Sequence, residues 1–246
     1  MIELLTQYWL LILFFFAIAV LYSSVGFGGG SSYLAILAIS GIAFTQIRST
    51  ALLCNIVVVM GTTFLCYRKG LYDWKKVVPL VFFSIPLAFV GGYVKISQNF
   101  FFILLGLTLL FAAITMWLSK KIVTGETSQQ EQKFSKNAMF GGIIGFVSGM
   151  VGIGGGIFLA PLLHLTHWDV PKKIAATASL FILVNSVSGF TGQFLNPDFA
   201  IDWNLTSILL VTVFIGGQMG SRLSHRFFSS IQLKRATAVL IAFVSL

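Results

Sequence analysis

The chain carries very little charge. Of its 246 residues, 9% are charged and 57% are hydrophobic. A water-soluble domain of this size needs more charge than that, so the class is an all-α polytopic membrane protein. Acid is the scarcer sign, with seven Asp and Glu against sixteen Lys and Arg. All seven (Glu3, Asp73, Glu126, Glu131, Asp169, Asp198 and Asp202) fall in loops or at the ends of apolar runs. Carboxylates inside a membrane are the usual seats of cations and relayed protons, and their absence from the runs argues against a cationic cargo. The two cysteines, Cys54 and Cys66, share one run at a spacing that suits neither a metal nor a disulfide framework, and they read as small apolar fillers. No nucleophile–base pair or metal-ligand cluster stands out, so the sequence points to no enzyme and no cofactor. The apolar runs do not alternate with polar residues, which excludes a β-barrel. The first run lacks a basic lead-in and a small-residue cleavage site, so it reads as a retained segment. The net charge of +9 sits in short loops, as on the cytoplasmic side of membrane proteins, and is no footprint for nucleic acid.

Glycine is plentiful, at 24 residues, and it is patterned. Val25-Gly26-Phe27-Gly28-Gly29-Gly30 recurs as Val151-Gly152-Ile153-Gly154-Gly155-Gly156, an offset of 151 − 25 = 126. Each copy interrupts an apolar run. Glycine inside a helix costs roughly 1 kcal/mol against alanine, so four in five residues should break it. Broken backbone at membrane depth persists only where protein buries it or a cavity lines it. Matching breaks in two halves point to a transporter's binding site. Close helix packing is the plainer use of such glycines, and the repetition weighs against it. A nucleotide loop needs a preceding strand and an acid about 20 residues on, and neither copy has them.

The rest of the chain repeats as well. The first half has apolar runs at Tyr8–Tyr22, Tyr33–Phe44, Thr50–Tyr67, Val77–Val94 with a kink expected at Pro86, and Phe100–Leu118. Ser119–Asn137 is polar and reads as a linker. The second half has runs at Ala138–Met150, Ile157–Leu165, Ile174–Gly192, Leu205–Gly220 and Ile231–Leu246. Thr50-Ala51 recurs as Thr177-Ala178, Asp73-Trp74 as Asp202-Trp203, and Gly91-Gly92 near Gly216-Gly217. The chain therefore divides into a first repeat at 1–118, a cytoplasmic linker at 119–137 and a second repeat at 138–246.

The loop after Tyr67 holds Arg68, Lys69, Lys75 and Lys76, which places it inside. Its counterpart, Gln193–Asp202, has two aspartates and no basic residue, which places it outside. The third connections reverse the bias: Lys95 alone in the first half, but Arg222, Arg226, Lys234 and Arg235 in the second. A bias that flips between halves is the mark of inverted repeats. Each repeat is then a glycine-broken, re-entrant hairpin plus three transmembrane helices. The competing layout makes every hairpin arm a full span, eight in all.

With no buried acid, the interior offers main-chain N–H groups freed by the glycines, along with hydroxyls and amides. Free N–H groups at helix N-termini bind anions. The candidate binding residues are Gly28, Gly29, Gly30 and Ser31 in the first break and Gly154, Gly155 and Gly156 in the second. Arg48, Thr50 and Asn55 follow on the next run of the first half, and Thr177, Ser179 and Asn185 on that of the second. Each polar candidate has a plainer role as a bond between helices, and Arg48 as a snorkelling surface residue. His164 and His167 flank the second hairpin, where a titrating imidazole could couple protons.

Two apolar segments running into Gly-x-Gly-Gly-Gly, with Ser148-Gly149-Met150 before the second copy and Pro171-Lys172-Lys173-Ile174-Ala175-Ala176-Thr177-Ala178-Ser179-Leu180 after it, resemble the sulfite exporter TauE/SafE family across essentially the whole chain. The first half departs from the pattern, with Gln46-Ile47-Arg48-Ser49 in place of the Pro-Lys-Lys lead-in. The resemblance implies a bacterial or archaeal plasma-membrane protein that moves sulfite, an organosulfonate or a related small anion. The expectation is a secondary transporter, an exporter by the family's name, with alternating access about the two breaks. Its partners are a small anionic substrate and the lipid bilayer, with a homo-oligomer left open. A channel-like anion pathway and a membrane subunit or receptor that moves nothing are the alternatives.

Overall fold

The structure is a computed structural model that describes residues 6–119, 134–166 and 168–227. Among these, all regular structure is helical. The elements are α1 (Trp9–Val25), α2 (Gly30–Ile39), α3 (Phe44–Arg68), α4 (Trp74–Tyr93), α5 (Gln98–Ser119), α6 (Phe134–Val151), α7 (Gly156–Leu165), α8 (Pro171–Phe194) and α9 (Trp203–Phe227). Four are long and apolar enough to cross a membrane: α3, α4, α8, and α9 over Trp203–Arg222. The linker over 120–133, the closing run Ile231–Leu246 with Lys234 and Arg235, and His167 lie outside the described residues.

Local chemistry sets the boundaries. α1 ends where Gly26 turns left-handed at φ 89°, and α2 begins after Gly29 at φ 83°. α6 ends at Gly152 (φ 89°), and α7 begins after Gly155 (φ 81°). Side chains with a Cβ rarely adopt this conformation. Pro171 opens α8, where its missing N–H costs nothing. The Asp202 carboxylate accepts from the Asn204 and Leu205 amides and caps α9. α3 starts six residues earlier than its apolar run, at Phe44, and so takes in Arg48. α4 continues as one helix through Pro79 and Pro86.

The packing is crossed between the halves. α1 lies along α9 and α6 along α4, while α3 and α8 meet in the middle. Glycines make the long seams. A Cβ on Gly141, Gly145 or Gly149 of α6 would collide with the carbonyl oxygens of Leu80, Ser84 and Ala88 on α4. Likewise Gly220 of α9 sits against the Val20 carbonyl, and Gly216 against Phe16 and Ala19. Small residues allow this backbone-to-backbone approach, the usual cohesion of helices in lipid. The contacts also correct the register read from sequence. Gly91 faces the Phe146 carbonyl as Gly220 faces that of Val20, and 146 − 20 = 126, the offset of the glycine runs. The counterpart of Gly91 is therefore Gly220, one turn beyond Gly216.

Ion pairs tie the connections at both ends of α4. Lys76, at its start, pairs with Asp169 of the α7–α8 connection at 3.1 Å and donates to the Trp168 carbonyl. Lys95, just past its end, pairs with Asp198 of the α8–α9 connection at 3.0 Å. Large apolar side chains such as Phe64, Phe82, Ile103 and Val211 face outward, while Asn55, Ser148, Ser179, Asn185 and Ser186 are fully buried. This inside-out distribution suits a lipid surround.

Candidate functional site

The two glycine runs meet. Asn55, midway along α3, donates from Nδ2 to the Ile153 carbonyl at 2.9 Å. The same amide fills the space beside the first run, where a Cβ on Gly28 or Gly30 would collide with it. A Cβ on Gly154 would stand 2.6 Å from Ser186 Oγ, 3.0 Å from Ile182 and 3.1 Å from Asn55 Nδ2. One on Gly156 would collide with Ile182. These glycines are needed for room, because neighbouring groups already occupy the Cβ positions.

Between the runs lies a cavity of about 20 Å³, lined in part by Gly28, Gly29, Gly30 and Ser31 from the first half and by Gly156 and Ile157 from the second. That is room for a water molecule. The N-termini of α2 and α7 both border it, and no side chain caps either one. The first N–H groups of a helix have no partner within it, so they are left for whatever occupies this space. The N-terminal end of each helix also carries partial positive charge. Beside these groups stand buried polar atoms with no hydrogen-bond partner: Asn55 Oδ1, Ser186 Oγ and Ser148 Oγ. Tyr22, which lines the cavity, shares a hydrogen bond with Ser32 at 2.8 Å between the hydroxyls.

The structure thus brings together Gly28, Gly29, Gly30, Ser31, Asn55, Gly154 and Gly156 of the sequence candidates. Gly155 keeps the turn, with its open face against Phe181, Ile144 and Ser148. The others serve different contacts. Thr50 bonds Thr206 on α9 at 3.1 Å. Ser179 donates to the Ala176 carbonyl, and Asn185 to that of Phe181, both within α8. Thr177 is buried with its hydroxyl unpartnered, apart from the cavity lining. Arg48 is not a snorkelling surface residue. It is 6% exposed, and its guanidinium donates to the Gly149 carbonyl at 3.4 Å. Tyr22, Phe27, Ile153, Pro161 and Ile182 complete the lining and were missed in the sequence. Tyr22 had a usable signal, since it lies one turn before the first glycine; the apolar members had none. No group of three or more His, Cys, Asp or Glu that could hold a metal occurs among the described residues.

Comparison with known proteins gives a consistent result. Residues 11–246 match the family model described as Sulfite exporter TauE/SafE. The chain is 32% identical over 233 residues to the "Probable membrane transporter protein y4hK" of Sinorhizobium fredii, covering 92% of each. It is 23% identical to the "Probable membrane transporter protein YunE" of Bacillus subtilis, over 78% of this chain and 77% of the relative. It is 27% identical to a protein of Methanocaldococcus jannaschii that is also called a probable membrane transporter, over 73% and 70%. No solved structure matches the chain.

Proposed function

The chain belongs to the sulfite exporter TauE/SafE family as a multi-pass membrane transporter, and on that premise we propose that it carries a small anion, sulfite or an organosulfonate, between two inverted repeats. The observation that carries this reading is the pair of uncapped helix N-termini facing one cavity beside the unpartnered Asn55 and Ser186 atoms. Two positive helix ends with free N–H groups favour an anion, and no acid opposes them there.

The inversion is supported by the ends of the helices. α3 and α8 are counterparts by sequence, 177 − 50 = 127 residues apart. α3 ends at Arg68, next to the connection that leads to Lys76 at the start of α4, whereas α8 begins beside Asp169, the partner of Lys76. Counterparts that run in opposite directions are what an inverted duplication requires. The repeats divide near 1–118 and 138–246, and each opens with a hairpin whose short second arm, α2 or α7, returns toward the face it entered from.

The cavity suits a water but not an oxyanion of four heavy atoms. Loading therefore separates the hairpin tips, and release on the other side separates them again, which is alternating access. The direction is export, by analogy with the family's name. The test is flux of labelled sulfite, and of a panel of sulfonates, in vesicles holding the purified protein. Saturable transport with counterflow is expected. Flux that rises linearly without exchange would establish a channel instead, and the absence of flux for every anion would refute the transport reading.

A further inference from the structure

A second cluster of unpartnered donors lies away from the cavity, toward the Lys95–Asp198 end of the bundle. Arg48 sits four residues into α3, so about 6 Å inside the start of that helix. It is a buried cation, and none of the ion pairs among the described residues includes it. Its guanidinium bond to the Gly149 carbonyl is long, at 3.4 Å, and its Nε has no partner. Gln193, in the last turn of α8, is 4% exposed, and its Nε2 is unpartnered too. The Ser49 hydroxyl donates to Gln193 Oε1 at 2.9 Å, which fixes the amide with its NH2 turned the other way.

The two donors share one seam. A Cβ on Gly189, a turn before Gln193, would stand 3.3 Å from Gly149 and 3.7 Å from Leu52, and Arg48 stands a turn before Leu52. α3, α6 and α8 therefore meet here, with the Arg48 Nε and the Gln193 Nε2 both lacking acceptors. The C-terminal carbonyls of α6 offset part of the charge but leave Nε unused. A buried polar group without a partner is rare and calls for a reason.

We propose that Arg48 and Gln193 form an anion-binding station separate from the central cavity, taking a small oxyanion such as sulfite through Arg48 Nε and Gln193 Nε2. This rests on the reading above, that the cargo is an anion. The station holds the anion at the end of the path near Lys95 and Asp198, before or after it occupies the cavity. The counterpart of Arg48 at the 127-residue offset is Ala175, so its buried cation is not repeated on α8.

The test is equilibrium binding of labelled sulfite to purified protein, with flux in vesicles and thermal unfolding measured alongside. Charge-assisted bonds are about twice as strong as neutral ones, so R48Q should weaken binding about tenfold and Q193L about threefold. Both should raise KM for flux while leaving the maximal rate within about twofold, since binding alone is lost. R48K should fall between wild type and R48Q, because it keeps the charge but not the fork. A lowered unfolding temperature with unchanged sulfite affinity in R48Q would mean that Arg48 only caps α6, and the station would be refuted. If R48Q does not insert, unchanged affinity in both R48K and Q193L refutes it equally. Sulfite binding that R48Q abolishes, in a wild-type protein without flux, would sustain the station and overturn the transport reading instead.

Discussion

α3 and α8 hold matching places in the two halves, yet the faces they turn to the glycine runs differ. Gly152 packs on Arg48 of α3, and Gly26, its counterpart, packs on Ala175 of α8. Gly30 is crowded by Asn55 and Gly156 by Ile182, again at the 127-residue offset. On the proposed duplication, the backbone has been kept and the side chains have not. Close approach explains the first part, because both runs sit where an added Cβ would overlap a neighbour. On the proposed reading one anion is bound at a time, and the second part follows from that. The Asn55 wall against the mainly apolar Ile182 wall, with Ser186 at its edge by Gly154, is enough to orient it, and a second buried cation would add a large desolvation penalty.

This contrast can be broken at several points. The largest effect is expected where the halves are alike. Gly30→Leu and Gly156→Leu should each lower sulfite flux by at least about a hundredfold, since small displacements at a site are that costly. Insertion, checked by gel filtration, should persist. Full flux in either variant would show that the two breaks are not equivalent. Where the halves differ, the effects should differ. Asn55→Ile, which makes α3 resemble α8, removes the bond to Ile153 and should cut flux at least about tenfold. Ile182→Val removes one methyl from the apolar wall and should stay within about threefold, in keeping with the small cost of such a change. Equal losses in the two variants would erase the proposed division between a polar and an apolar wall. The smallest effect concerns the two ends. Asp169, 9% exposed and paired with both Lys76 and Lys173, should cost about 1–3 kcal/mol of stability when changed to Asn. Lys95→Ala removes an exposed pair and should cost less than about 1 kcal/mol. Thermal unfolding in detergent measures both, and a reversed order would show that the ends are not held as the ion pairs suggest.

Much of this was legible in the sequence because it rests on local chemistry. The glycine runs break the helices where the repeated motif stands, and the apolar runs among the described residues become helices. The site was harder to read because its contacts are distant along the chain. Thr50 looked like a repeat-matched ligand, but its partner Thr206 is 156 residues away and takes its hydroxyl. Arg48 looked like a face residue because the apolar run starts after it. The helix begins earlier, and α6 packs beside that segment through Gly149 and Gly152. Gly91 was matched one turn short because identical residues in an apolar run can slip without penalty, and only the facing carbonyl fixes the register.

The crossed glycine seams bear on how the chain is made. α1 lies along α9, which the ribosome delivers nearly two hundred residues later, and α4 lies along α6, on the far side of the linker. Until α9 arrives, α1 has lipid where Gly216 and Gly220 later pack on Phe16, Ala19 and Val20. A chain that stops before Trp203 therefore leaves the glycine-seam face of α1 without its helix partner.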